Sequence, residues 1–198
     1  MKKILVVEDK EKHQKAAQIQ LVEHDIIVMP TFDEAMDVLK GKSRFDNGGV
    51  EVPPVAVDAL LTDLFYTQGR GECQRDRYLG KEEFAFGFPL AYIAALRGIP
   101  TAVVTDMNHH DHPMAYTFDH LQQGREAGGI LVNGVPVMFF DQRDLSSMFL
   151  TKEGTCVDYD TIQEEVPEGQ YVSDLIKERG MESVKNWGLA LERLTGEE

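Results

Sequence analysis

The chain is short of positive charge: 20 lysines and arginines face 34 aspartates and glutamates, a net charge of −14. Binding phosphate backbones or anionic lipid needs a basic face, so nucleic acid and membrane surfaces are not expected partners. Cysteine is scarce too. Cys73 and Cys156 lie in unrelated contexts without CxxC spacing, which excludes a disulfide framework and points to reduced thiols in a cytoplasmic protein. No apolar run approaches the ~20 residues of a membrane span. The N-terminus lacks the roughly 7–15-residue apolar core of a secretory signal. Internal repeats and low-complexity tracts are missing as well. What is present, 42% apolar and 27% charged residues over 198 positions, fits one generous soluble domain, or a domain with an appendage.

The chain opens with KKILVVEDKEKH. The unbroken apolar run from Ile4 to Val7 is the pattern of a strand buried on both faces. It runs straight into two adjacent carboxylates, Glu8 and Asp9. Neighbouring anions repel, so a fold that keeps them neutralises them with a cation or hydrogen bonds. Ala16, Ala17, Ile19, Leu21 and Val22 then fall in a helical stretch of roughly fourteen residues. IIVMP reads as a second strand, and Thr31 with Glu34 is a capping-box pattern opening the helix FDEAMDVLKGK. SRFDNGGVEVPP reads as a loop. VAVDALLTDLF is the next strand, GFPLAYIAALRG a helix ending at Gly98, and IPTAVVTD another buried strand. A polar loop and a helix around MAYTFDHLQQ follow. ILVNGVPVMFF carries Asn-Gly between apolar runs, the strongest short hairpin signal, with one last sheet strand preceded by a turn as the alternative.

Strand and helix therefore alternate with short connections, which predicts an α/β fold: a doubly wound, mainly parallel sheet of about five strands. In such sheets the working site lies beyond the carboxyl ends of the strands, near a topological switch point. The polar residues at those ends are Glu8 and Asp9, then Asp63, then Thr105 and Asp106. They are expected to converge, with a divalent cation holding the acids together.

These residues resemble the receiver domain of two-component response regulators, a flavodoxin-like fold. KKILVVED is close to that family's first strand and acidic pair, and ALLTDLF to the strand bearing its phosphorylated aspartate, here Asp63. GFPLAYIAALRGIPTAVVT looks like its third helix and fourth strand, ending in the hydroxyl residue, here Thr105. The resemblance implies a signalling protein acting through protein–protein contact, a histidine kinase among its partners, and at most self-phosphorylation as enzymatic activity. An aspartate carboxylate can take a phosphoryl group as a nucleophile, and Mg²⁺ prefers one or two carboxylates plus waters and phosphate oxygens. By resemblance Asp9 and Asp63 ligate Mg²⁺ directly, Glu8 through water, the Phe65 carbonyl adds an oxygen, and Thr105 donates to the phosphoryl group.

The departures are specific. The family carries a lysine just after the fifth strand, whereas VMFFDQRD places Asp141 or Gln142 there, with Arg143 nearby. A rigid guanidinium does not simply replace an ammonium. Residues 66–86 form an insertion in place of the family's short loop. Arg70, Arg75, Arg77 and Lys81 leave from the rim of the acidic site, and one of them is expected to supply the missing cation. A pseudo-receiver that binds partners without phosphorylation is the alternative. A toprim-like Mg²⁺-dependent phosphotransfer enzyme or nuclease is a further one, against which stands the lack of an Asp-x-Asp pair at TDLF. The histidines of NHHDH, residues 108–112, lack the i, i+4 spacing of a helical zinc site and read as a polar loop.

Residues 1–144 are read as the receiver-like domain and 145–198 as a C-terminal helical extension docked on it. The extension has more than twice as many acidic as basic residues, which excludes a DNA-binding output module. SDLIKERG and ESVKNWGLALERL predict amphipathic helices, with Val184, Trp187, Leu189, Leu191 and Leu194 as core or interface positions.

Overall fold

A computed structural model describes residues 1–42, 44–45, 51–52, 55–66, 84–106, 129–141 and 144–196. The first strand, β1 (Lys3–Val7), is followed by α1 (Glu11–Gln20), β2 (Asp25–Met29) and α2 (Phe32–Leu39). Next come β5 (Ala59–Asp63), α3 (Gly87–Ala95), β6 (Thr101–Val104), β7 (Gly129–Val132) and β8 (Val135–Phe140). Between α2 and β5 lies an antiparallel ribbon of β3 (Arg44–Phe45) and β4 (Glu51–Val52). That ribbon falls where a plain loop is predicted, because strands of two residues are too short to show a period.

The main sheet has the order β2-β1-β5-β6-β8-β7. Its first five members are parallel, and β7 closes the edge antiparallel to β8. Counting the parallel strands in chain order gives 2-1-3-4-5, the flavodoxin-like arrangement, whose switch point lies between β1 and β5. Both readings of ILVNGVPVMFF are realised. Asn133 and Gly134 take φ of 52° and 82°, as a type I′ hairpin turn demands, while β8 is also the fifth parallel strand.

A parallel sheet must be covered on both faces, and alternation along each strand divides the core accordingly. Ile4, Val6, Leu61, Ala102 and Phe140 pack on one side with Ala16, Ala17 and Leu21. Leu5, Val7 and Leu60 pack on the other with Ala35, Val38, Leu90 and Ala94. One helix end differs in detail from the sequence expectation, and another carries the cap expected of it. α1 stops at Gln20, and Val22 stands 77% exposed. At α2, the Glu34 N–H donates to Thr31 Oγ1 (3.4 Å), while the Thr31 hydroxyl donates to the Glu34 carboxylate (2.7 Å).

The C-terminal segment is not purely helical. It contains a three-stranded antiparallel sheet, β10-β9-β11, from β9 (Met148–Leu150), β10 (Cys156–Asp158) and β11 (Glu182–Val184). Three-residue strands leave no alternation to read, which is why helices alone are predicted there. Helices α4 (Tyr159–Glu164) and α5 (Val172–Arg179) cover it through Phe149, Ile162 and Leu175. The last helix, α6 (Trp187–Thr195), lies on the main sheet beside α1. Val184, Trp187, Ala190, Leu191 and Leu194 join the same core cluster as Ile4 and Val6.

The helix predicted around MAYTFDHLQQ, the NHHDH stretch, Cys73, Gln142, Arg143 and residues 67–83 of the insertion lie outside the described residues. The ends of that insertion are joined, since Tyr66 and Phe84 exchange backbone hydrogen bonds of 3.2 Å. Among the described residues no helix is long and apolar enough to cross a membrane.

Candidate functional site

Three strand ends deliver the acidic residues. Glu8 follows β1, and its N–H donates to the Met29 carbonyl (3.0 Å), prolonging the β1–β2 ladder by one residue. Asp63 is the last residue of β5 and pairs in register with Val104 of β6, so Thr105 lies one step beyond it on the neighbouring strand. Thr105 is held there by its N–H donating to the Phe140 carbonyl (2.9 Å). Gly87 at the start of α3 lies tight against this end of β5. A Cβ there would sit 2.3 Å from the Asp63 carbonyl oxygen and 2.8 Å from Leu64 Cα. Any side chain at position 87 would push the Asp63 backbone aside.

Glu8, Asp9 and Asp63 come together at the switch point, each offering a carboxylate oxygen within 4.8 Å of the others. Glu8 and Asp63 are almost wholly buried. Such a pair demands a cation, and the structure places one there: Lys185. Its ammonium lies 2.6 Å from Glu8 Oε2 and 2.7 Å from Asp63 Oδ1, and the residue is itself buried. Of the two positions that match the resembled family's lysine, 141 holds a buried aspartate and 142 lies outside the described residues. Thus the lysine is missing from its usual strand end, while an ammonium reaches the acidic pair from the turn between β11 and α6. Arg70, Arg75, Arg77 and Lys81 lie outside the described residues.

Backbone N–H groups add to Lys185 at these carboxylates, on Glu8 Oε1 and on the same Asp63 Oδ1 that meets the ammonium. The Lys10 N–H donates to Glu8 Oε1 (3.0 Å), and the Leu64 N–H donates to Asp63 Oδ1 (2.6 Å). Asp106 forms a second charge centre, receiving Lys10 Nζ (2.9 Å) and His13 Nε2 (3.2 Å) on Oδ2. A cavity of about 170 Å³ beside Lys185 is lined by His13, Thr105, Asp106, Asp141, Ser146 and Asn186, among others.

The pKa shifts follow from this arrangement. Burial pushes the Asp63 carboxyl up to about 6; Lys185 pulls it the other way, and Glu8 adds to the rise. Burial disfavours the Lys185 ammonium, yet Asp63, Glu8 and Asp106 outweigh it and hold the lysine above its ordinary value. Asp106 is also penalised by burial, but His13, Lys185 and Lys10 keep its carboxyl well below the usual range. The stability consequence has a definite sign. Between about pH 4 and 6 the folded state keeps the Asp63 proton more firmly than the unfolded chain, so this group's stabilisation is lost as pH rises through that window. Asp106 titrates below it. In chelator, wild-type melting temperature should therefore fall relative to Asp63→Asn between pH 4 and 6, and parallel curves would reject the shift.

The donor set fits a hard divalent cation. It consists of carboxylate oxygens, as Mg²⁺ prefers. Sequence reasoning found the acids because they end apolar strands. It missed Lys185, Lys10 and His13. The available signal was a lysine set between core candidates Val184 and Trp187.

No protein-family profile matches the chain, and no curated protein does. Among solved structures it is similar to the Mn²⁺-bound form of the response regulator Rcp1, at 23% identity over 59% of this chain and 75% of that one, TM-score 0.39. It is also similar to the bacteriophytochrome response regulator AtBRR, at 16% identity over 72% and 82%, TM-score 0.41. A third is the N-terminal domain of a response regulator/sensory box/GGDEF 3-domain protein from Carboxydothermus hydrogenoformans, at 17% identity over 71% and 80%, TM-score 0.36. Likenesses of this degree decide nothing about the site. The strand order and flanking helices make this an α/β protein with a flavodoxin-like fold.

Proposed function

We propose that the protein is a response-regulator-like signalling protein in which Asp63 accepts a phosphoryl group. The observation that carries this reading is the Lys185 ammonium, bonded to both Asp63 and Glu8 at the switch point. A carboxylate oxygen of Asp63 attacks the phosphorus of a small donor such as acetyl phosphate. The new P–O bond forms as the donor's P–O bond breaks, and acetate leaves with the electron pair. Catalysis of such a step is mainly positioning and charge neutralisation. Lys185 supplies one positive charge, and Thr105 stands on the adjacent strand end as a hydroxyl donor. Asp9, Asp63 and Glu8 would hold Mg²⁺, which supplies the remaining positive charge when bound. Residues 1–144 act as the receiver body and 145–198 as an extension that completes its site. A cytoplasmic setting, protein partners and a histidine kinase as physiological donor belong to the same reading.

The test uses the full chain with acetyl phosphate and Mg²⁺, followed by intact mass. A single phosphoryl adduct is expected in the wild type and none in Asp63→Asn. Mg²⁺ should raise the melting temperature, because a ligand bound only by the native state stabilises it, and Asp9→Ala should remove that rise. If the wild type forms no adduct, the phosphoacceptor reading fails and a pseudo-receiver remains.

A further inference from the structure

The ammonium of Lys185 is useful at Asp63 only if its backbone is fixed, and that backbone belongs to a segment far from the acidic strand ends in sequence. Two side chains of α1 hold it. The Lys185 N–H donates to His13 Nδ1 (3.2 Å), and Gln20 Nε2 donates to the Lys185 carbonyl (3.0 Å). His13 grips the segment twice, since its own carbonyl accepts Trp187 Nε1 (3.0 Å). The imidazole is buried at 1% exposure. Its tautomer follows from its partners: Nδ1 receives an N–H and carries no proton, so Nε2–H donates to Asp106 Oδ2 (3.2 Å). Asp106 is in turn held by Lys10. The chain Lys10–Asp106–His13 therefore fixes the ring, and the ring fixes the lysine.

We propose that His13 is a positioning residue for the phosphoryl-accepting site, setting Lys185 against Asp63 through its Nδ1. The inference rests on the reading of Asp63 as phosphoacceptor for its consequence, though not for the geometry. A lysine released by about 1 Å would no longer meet both carboxylates, and misplacements of that size cost on the order of 10²-fold in rate.

Two isosteric substitutions separate the two ring nitrogens. In His13→Asn the side-chain oxygen sits where Nδ1 was and still accepts the Lys185 N–H, while the reach to Asp106 is lost. In His13→Gln the amide reaches towards Asp106 and leaves the Lys185 N–H unserved. Acylation of full-length protein by an N-hydroxysuccinimide ester, with peptide mass analysis, reads the exposure of Lys185. Phosphoryl uptake from acetyl phosphate reads the consequence. Expected are a protected Lys185 in the wild type and His13→Asn, and a reactive one in His13→Gln and His13→Ala. Uptake should fall about tenfold or more in the latter pair and stay within about threefold in His13→Asn. Mg²⁺-dependent stabilisation should survive in every folded variant, because the carboxylates are untouched. Equal protection of Lys185 in the Asn and Gln variants overturns the inference, even if melting temperatures drop. If the wild type takes no phosphoryl group, the proposed function falls while Lys185 protection still decides the role of His13.

Discussion

Lys185→Met is expected to lower stability by about 3–5 kcal/mol at neutral pH in chelator, the usual cost of stranding a buried partner charge. Here two partners are stranded, Glu8 and Asp63. In a chain of this size the loss appears as a melting-temperature drop on the order of 10 °C. Mg²⁺ should recover more stability in this variant than in the wild type, because three carboxylates then face the cation without competition from an ammonium. The cause can be isolated by neutralising the partners. Adding Glu8→Gln and Asp63→Asn to Lys185→Met should restore most of the loss, since replacing a whole buried ion cluster by neutral groups of similar volume is often close to neutral. Phosphoryl uptake should vanish in Lys185→Met alone and with Mg²⁺ present. An unchanged melting temperature would mean that the acids have another cation in solution, and the site as described would be wrong.

Much of this site is visible in the sequence for a simple reason. Glu8, Asp9 and Asp63 each terminate an apolar run, and parallel topology forces such ends to one edge of the sheet. The α/β order and the β7–β8 turn at Asn133-Gly134 are legible likewise, because alternation and turn chemistry act over a few residues. Lys185 is illegible on the same grounds. Its partner Glu8 is 177 residues away, and locally the lysine is marked by no more than its place between Val184 and Trp187. Within NWGLALERL the apolar spacing announces α6, and a lysine two residues before such a helix reads as solvated. Long charged side chains are seldom fully buried unless paired, and here the pairing is tertiary. The arginines of the insertion follow Asp63 closely in sequence and lie outside the described residues. The fold solves the same electrostatic problem with a residue from the far end of the chain.

Trp187→Ala should be the most damaging single truncation in the C-terminal segment, and it tests whether α6 and the acidic site are one structure. The indole is fully buried, packs in the cluster that contains Ile4, Val6 and Phe140, and donates to the His13 carbonyl (3.0 Å). Its ring also lies 5.3 Å from Lys185 Nζ, close enough for a cation–π contribution. Removing it costs about 3–5 kcal/mol from lost burial and the cavity left behind. Leu194→Ala, near the other end of α6 in the same cluster, is the matched control, with about 2–5 kcal/mol expected. The two variants should part company at the site. Trp187→Ala should expose Lys185 to acylation and depress phosphoryl uptake, whereas Leu194→Ala should lower the melting temperature with Lys185 still protected. The wild type offers a direct optical check, because Trp187 is its one tryptophan. Native emission should be blue-shifted and move to the red only with global unfolding. A native emission maximum typical of solvated indole would undo the docking of α6. Identical Lys185 reactivity in the two variants would show that the segment stabilises the sheet without setting the lysine.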